Sequence, residues 1–163
     1  MAKPLKILTI EDAKEEQILR GKSSLVTPEI LQSKEFTTFL EDLLYTAEHS
    51  EDQGNVPAGG IAAIQVGKPY CVFYSLNYDT NEWELFINPS VEPEGFLKIK
   101  GEEGCLSVPK KVGNVERYYK VKIKYQDKDG KWITKRYKDI NATSIQHEHD
   151  HLEGILFIDR MEK

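Results

Sequence analysis

Residues 147–151 read His-Glu-His-Asp-His. On an α-helix, with about 3.6 residues per turn, His147 and His151 fall one above the other on the same face. Two imidazoles placed so can grip one metal ion. Glu148, beside the first of them, can move protons at a water on that ion. The chemistry this spacing suggests is metal-assisted hydrolysis. His149 lies two residues from each imidazole and points to a different face, so it is read as a hydrogen-bonded or partly exposed histidine.

A helix over about Asp139–Glu153 must carry the motif, with Asp139 or Asn141 as its cap and Gly154 as its stop. Leu152, Ile155 and Leu156 suggest that it is packed, and buried unpaired imidazoles there would be costly. Upstream, Phe36, Phe39, Leu40, Leu43, Leu44 and Ala47 recur at helical spacing, giving an N-terminal amphipathic helix from a Ser33 cap to about His49. Thr27-Pro28 start a short helical turn before it, and His49 is read as a surface residue at the helix end. Residues 1–25 read as a polar entry segment and 50–60 as a loop.

Between the helices lie strand signals. Runs at 70–76 and 84–91 flank an Asp79-Thr80-Asn81 turn, and residues 94–100 suggest a third strand. Runs at 118–126 and 131–138 flank a turn at 127–130. The expected class is α+β: antiparallel β-sheets packed around a C-terminal metal-binding helix, with an N-terminal helix, in a single catalytic domain spanning residues 1–163.

The composition is that of a globular protein, with 39% hydrophobic and 30% charged residues and a net charge of −5. No basic stripe favours nucleic acid, so no direct nucleic-acid binding is expected. Lys120, Lys122 and Lys124 alternate with Val121, Ile123 and Tyr125, as on the solvated face of a strand. No apolar targeting or membrane segment is visible, which places the expected protein in the cytoplasm, away from membranes. A disulfide between Cys71 and Cys105 is then not expected. Cys71, within an apolar run, reads as core filler.

A catalytic metal site needs a third protein ligand. Downstream of the helix the candidates are Asp159 and Glu162. Zinc proteases with HExxH usually take their third ligand from downstream, where this chain has no His or Cys, so it fits them poorly. Upstream, Glu103-Gly104-Cys105-Leu106-Ser107 offers the soft ligand Cys105, which a divalent ion would hold as thiolate.

Together these segments resemble the peptide deformylase family. Its three ordered motifs are GxGxAAxQ, EGCLS and HExDHLxG. Here they read Ala58-Gly59-Gly60-Ile61-Ala62-Ala63-Ile64-Gln65, Glu103-Gly104-Cys105-Leu106-Ser107, and His147 through Gly154. Leu156 to Arg160 also look like the family, and the resemblance runs from about residue 18 to the end. It implies removal of the N-formyl group from the N-terminal methionine of new polypeptides, with release of formate by attack of a metal-activated water. It implies Cys105, His147 and His151 as metal ligands, and Glu148 as general base and then acid. The Gln65 amide and the Leu106 backbone N–H would stabilise the oxyanion, while Gly60 and Gly104 would let the peptide backbone approach. The implied cofactor is one divalent ion, Fe(2+), which Ni(2+), Co(2+) or Zn(2+) can replace. The implied partners are formyl-methionyl peptides, including nascent chains at the ribosome, and a monomer is expected. A non-catalytic relative and a zinc endopeptidase are the competing readings.

Two departures from the family pattern carry expectations. Ala58 stands where the family prefers Gly, and would be strained if that position had positive φ. Thr143 and Ser144 stand where more apolar residues often line the methionine pocket, which would make that wall more polar. The chain also ends soon after Arg160, where many relatives continue.

Overall fold

The computed structural model describes residues 1–162. Its helices are α1 (Ala13–Leu19), α2 (Pro28–Gln32), α3 (Lys34–Glu48) and α4 (Asp139–Leu152). Its strands are β1 (Gly60–Ala62), β2 (Val72–Asn77), β3 (Glu82–Pro93), β4 (Lys98–Cys105), β5 (Val108–Tyr118), β6 (Lys120–Gln126) and β7 (Trp132–Lys138). All pairings between these strands are antiparallel. Five strands form one sheet in the order β1-β2-β3-β6-β7, and β4-β5 form a second. This is the expected α+β arrangement.

The larger sheet lies between α3 and α4, and side-chain alternation sorts its residues between them. Ile61, Val72, Tyr74 and Ile87 pack with Phe36, Leu40 and Leu43 of α3. Ala62, Phe73, Phe86, Val121 and Ile123 pack with Ala142, Ile145 and Leu152 of α4. A strand covered on both faces has no solvent side, which is why Val72, Phe73 and Tyr74 follow one another without a polar residue between them. Cys71 is half-buried against the α4 cluster, and both cysteines are free.

The helix starts follow their caps. The Ile30 N–H donates to Thr27 Oγ1 at 3.2 Å, and the Phe36 N–H donates to Ser33 Oγ at 3.2 Å. At α4 the expected cap is corrected. Neither Asp139 nor Asn141 caps the helix; Lys138 occupies the cap position with no side-chain bond. Asn141 instead accepts from the Tyr78 N–H at 2.8 Å and donates to Asn77 and Asp79. This ties the start of α4 to the β2–β3 turn. Gly154 ends the helix at φ +75°, and a side chain there would run into the Arg20 backbone.

Three further expectations are corrected. The entry segment contains α1, capped by Asp12, which accepts from the Lys14 N–H at 2.8 Å. The 50–60 loop contains a 3-10 turn at Ser50–Gln53 and ends in β1. The third strand is not 94–100 but β4, and with β5 it makes a long hairpin over 98–118. The concern over Ala58 does not arise, because it is not among the residues with positive φ.

Candidate metal centre

α4 presents His147 and His151 on one face, with ring centroids 5.3 Å apart. The β4–β5 hairpin brings Cys105 to the same point, where Cys105 Sγ lies 3.4 Å from His151 Nε2. One ligand atom from each of the three residues lies within 4.8 Å of the others. Thiolate and imidazole in such a cluster fit a divalent transition metal. Asp159 and Glu162 are committed elsewhere: Asp159 pairs with Arg20 and the Leu156 N–H, and Glu162 pairs with Lys100.

Glu148 points at the same place. Its Oε2 is 3.9 Å from His147 Nε2, and its Oε1 is buried with no hydrogen-bond partner among the described residues. Burial pushes its carboxyl up to about 7. Burial also holds the His151 pKa well below the ordinary value, helped by His147 and Arg117. At His147 burial opposes the charged form, but hydrogen bonds to Cys105 and Glu103 outweigh it and raise the pKa.

Gln65 sits in a 3-10 turn at Ala63–Val66 and is 1% exposed. Its Oε1 accepts from the Ala62 N–H at 2.9 Å, which fixes which end of the amide faces the site. The Nε2 group then donates to Ser107 Oγ at 3.1 Å and to Cys105 Sγ at 3.6 Å. Leu106 occupies the hairpin turn next to Cys105 and is buried. A cleft of about 560 Å³ opens over this cluster, lined by Gly60, Gln65, Gly104, Cys105, Leu106, His147 and Glu148.

The chain belongs to the polypeptide deformylase family. The family pattern matches residues 4–163. A peptide deformylase from Pelagibacter ubique is 41% identical over 110 residues, covering 66% of this chain and 64% of that relative. One from Hyphomonas neptunium is 36% identical over 160 residues, covering 96% of this chain and 84% of the relative. The Met-Ala-Ser-bound class I type b peptide deformylase from Acinetobacter baumannii superposes with a TM-score of 0.85 at 28% identity, covering 99% of this chain and 100% of that one. These matches agree with the resemblance carried by the three motifs.

Seven of the eight residues singled out for the deformylase site line the cleft; the eighth, His151, is buried and clusters with Cys105 and His147. The two glycines differ in what they do. A side chain on Gly60 would collide with the Glu148 carboxylate. At Gly104 a Cβ would meet Val112 and the Lys111 carbonyl only at ordinary contact distances, so packing does not require glycine there. His149 stays outside the cluster. It lines a separate polar cleft with Gln146, Glu116 and Arg160 on the other side of α4.

The charged network behind the cluster had no place in the motif reading. His147 Nδ1 faces Glu103 Oε1 at 2.9 Å. Arg117 grips Glu103 with two nitrogens, at 2.6 and 2.9 Å, and donates to Asp150 at 3.0 Å. Arg160 closes the far end on Asp150 at 2.6 and 3.1 Å. Arg117 is only 4% exposed. One signal for it was present: on β5 it shares a face with buried Val115, and a charge at an inward position must have partners. A carboxylate on Nδ1 fixes the imidazole so that Nε2 is free to ligate.

The Thr143 and Ser144 hydroxyls have partners within the protein. The Thr143 hydroxyl donates to the Ile140 carbonyl at 3.0 Å, and the Ser144 hydroxyl pairs with Ser75 at 3.0 Å.

Proposed function

We propose that this chain, as one catalytic domain over residues 1–163, removes the formyl group from N-terminal formyl-methionine of newly made polypeptides. The observation that carries this reading is the cluster of Cys105, His147 and His151 with the Glu148 carboxylate beside it. A divalent ion held by those three side chains would supply a Lewis acid that acidifies a water and polarises the formyl oxygen. The donor set suits iron, nickel, cobalt and zinc alike, and the family resemblance favours ferrous iron.

The chain's own groups do the rest. Glu148 takes the proton of the attacking water and gives it to the departing amine, so a C–O bond forms as the C–N bond breaks. The products are formate and a peptide with a free N-terminal methionine. Its uncommitted Oε1 is available for that transfer. The Gln65 amide, held by Ala62, and the Leu106 N–H stabilise the oxygen on which charge develops. Gly60 and Gly104 leave room for the peptide backbone, and the wall near Thr143 and Ser144 receives the methionine side chain. The relative bound to Met-Ala-Ser, the kind of peptide such a reaction leaves behind, supports the substrate class.

No helix among the described residues is long and apolar enough to cross a membrane. The proposed setting is the cytoplasm, with a monomer acting on nascent chains as they leave the ribosome. Formate release from formyl-Met-Ala-Ser by anaerobically purified protein loaded with Fe(2+) or Ni(2+) tests the activity, and metal analysis of the same preparation tests the ion. Glu148→Ala should keep its metal and lose turnover. Failure of loaded wild-type protein to release formate would leave a non-catalytic binding protein as the better reading.

A further inference from the structure

β5 departs from regular pairing beside the metal cluster. Cys105 pairs with Val108, while the preceding Gly104 pairs with Val112. Pro109, Lys110 and Lys111 therefore form a bulge with no partners on β4. Lys110 adopts φ +64°, a left-handed conformation uncommon for a residue with a side chain. The Lys111 carbonyl would lie 3.6 Å from a Cβ on Gly104, one residue before Cys105. Bulges of this kind re-aim side chains, and they occur beside active sites. Both lysines line the cleft, both are exposed, and neither makes an ion pair among the described residues.

We propose that Lys110 and Lys111 select formyl peptides carrying a carboxylate side chain within the two residues after methionine, an inference that rests on the deformylase reading. The charges near the cleft decide the sign. Glu103 is neutralised by Arg117, and Glu148 lies on the buried floor. Glu102 lines the cleft with no ion pair among the described residues and is an exposed charge that opposes them. The net charge of −5 acts against acidic peptides. At physiological salt, however, charges beyond about 8 Å are largely screened, so the two lysines outweigh the rest of the surface. Flexible ammonium groups in partly exposed positions confer modest selectivity, roughly three- to tenfold. Such contacts are made equally in the ground and transition states, so the effect falls on KM.

The experiment compares kcat/KM for formyl-Met-Ala-Ser, formyl-Met-Asp-Glu and formyl-Met-Lys-Lys, using nickel-loaded protein at physiological and at high salt. The expected order is acidic, neutral, basic, with the ratio of acidic to basic approaching one at high salt. In the double variant K110Q/K111Q that ratio should collapse at physiological salt, and in K110E/K111E it should invert. The ratio is internal to each preparation, so loss of folded protein does not imitate the effect. Turnover of all three peptides at equal efficiency, or a preference for the basic peptide, overturns the inference and leaves the deformylase reading intact. No formate from any peptide overturns both.

Discussion

A methyl group on Gly60 would stand 2.5 Å from Glu148 Oε2 and 2.7 Å from its Cδ. The backbone of β1 therefore packs directly against the carboxylate that α4 delivers. Glycine is needed there for lack of volume, since its φ is not in the left-handed region. Gly60→Ala must displace the Glu148 side chain from its present position. A misplacement of about 1 Å at a reacting group can cost about 100-fold in rate. Deformylation should fall by about that factor in kcat, while metal content, set by the other three side chains, stays unchanged. Wild-type kcat in the alanine variant would show that the carboxylate tolerates displacement.

Arg117 is the next point of attack. It holds Glu103 and Asp150 together at 4% exposure, and Glu103 in turn holds His147. Arg117→Met leaves both carboxylates without that cation, a loss of about 3–5 kcal/mol when one partner of a buried pair is removed. It also loosens the carboxylate behind a metal-binding imidazole, for which a 10- to 100-fold loss of metal affinity is typical, as an order of magnitude. Arg117→Lys keeps the charge but not the two-nitrogen grip on Glu103, and should recover part of the stability and less of the affinity. Urea unfolding of metal-free protein and metal titration would separate the two losses. Equal metal affinity in all three proteins would remove the positioning role.

These residues also show what could be read from the sequence. The spacing of His147 and His151 places them on one helix face without any structure, and Glu103 to Ser107 brings in Cys105. The hairpin that carries Cys105 was hidden. β4 reads Lys-Ile-Lys-Gly-Glu-Glu-Gly-Cys, rich in residues disfavoured in strands. It is held in part by tertiary contacts, notably Glu103 to Arg117 and His147, that no local pattern reveals. α1 buries only Leu19, so it has no apolar stripe to detect. β1 has three residues, too few to show a period of two. The hydroxyls of Thr143 and Ser144 counted as polar in the sequence, yet their partners, the Ile140 carbonyl and Ser75, are set by the fold.

The Glu103 carboxyl fixes how stability should vary with acid. Burial alone would raise its pKa, but hydrogen bonds from His147 and Arg117 and the Arg117 charge lower it to about 2 from 4.5. Because the folded value lies below the unfolded one, the stabilisation is full above about pH 4.5 and is lost as pH falls toward about 2. The depression corresponds to about 3 kcal/mol, as an order of magnitude for a side chain largely shielded from solvent. Metal-free protein should lose stability steeply below about pH 4.5, and Glu103→Gln, less stable at neutral pH, should show a shallower acid limb. Parallel acid limbs for the two proteins would mean that other carboxylates control the decline.

The last prediction concerns the third ligand. Cys105 Sγ is near His151 Nε2 and accepts from Gln65, whereas Cys71 is half-buried in the core beneath α4. A serine oxygen is a harder and weaker donor to a late transition metal than a thiolate. Cys105→Ser should therefore weaken binding of Fe(2+), Co(2+) or Zn(2+) and abolish thiolate-to-cobalt charge transfer in the cobalt-loaded protein, while Cys71→Ser should retain both. Metal that binds only the folded state raises the melting temperature by mass action. Chelation should then lower the melting temperature of wild type and Cys71→Ser, but hardly move that of Cys105→Ser. An intact cobalt–thiolate band in Cys105→Ser would assign the sulfur to Cys71 and break the proposed trio.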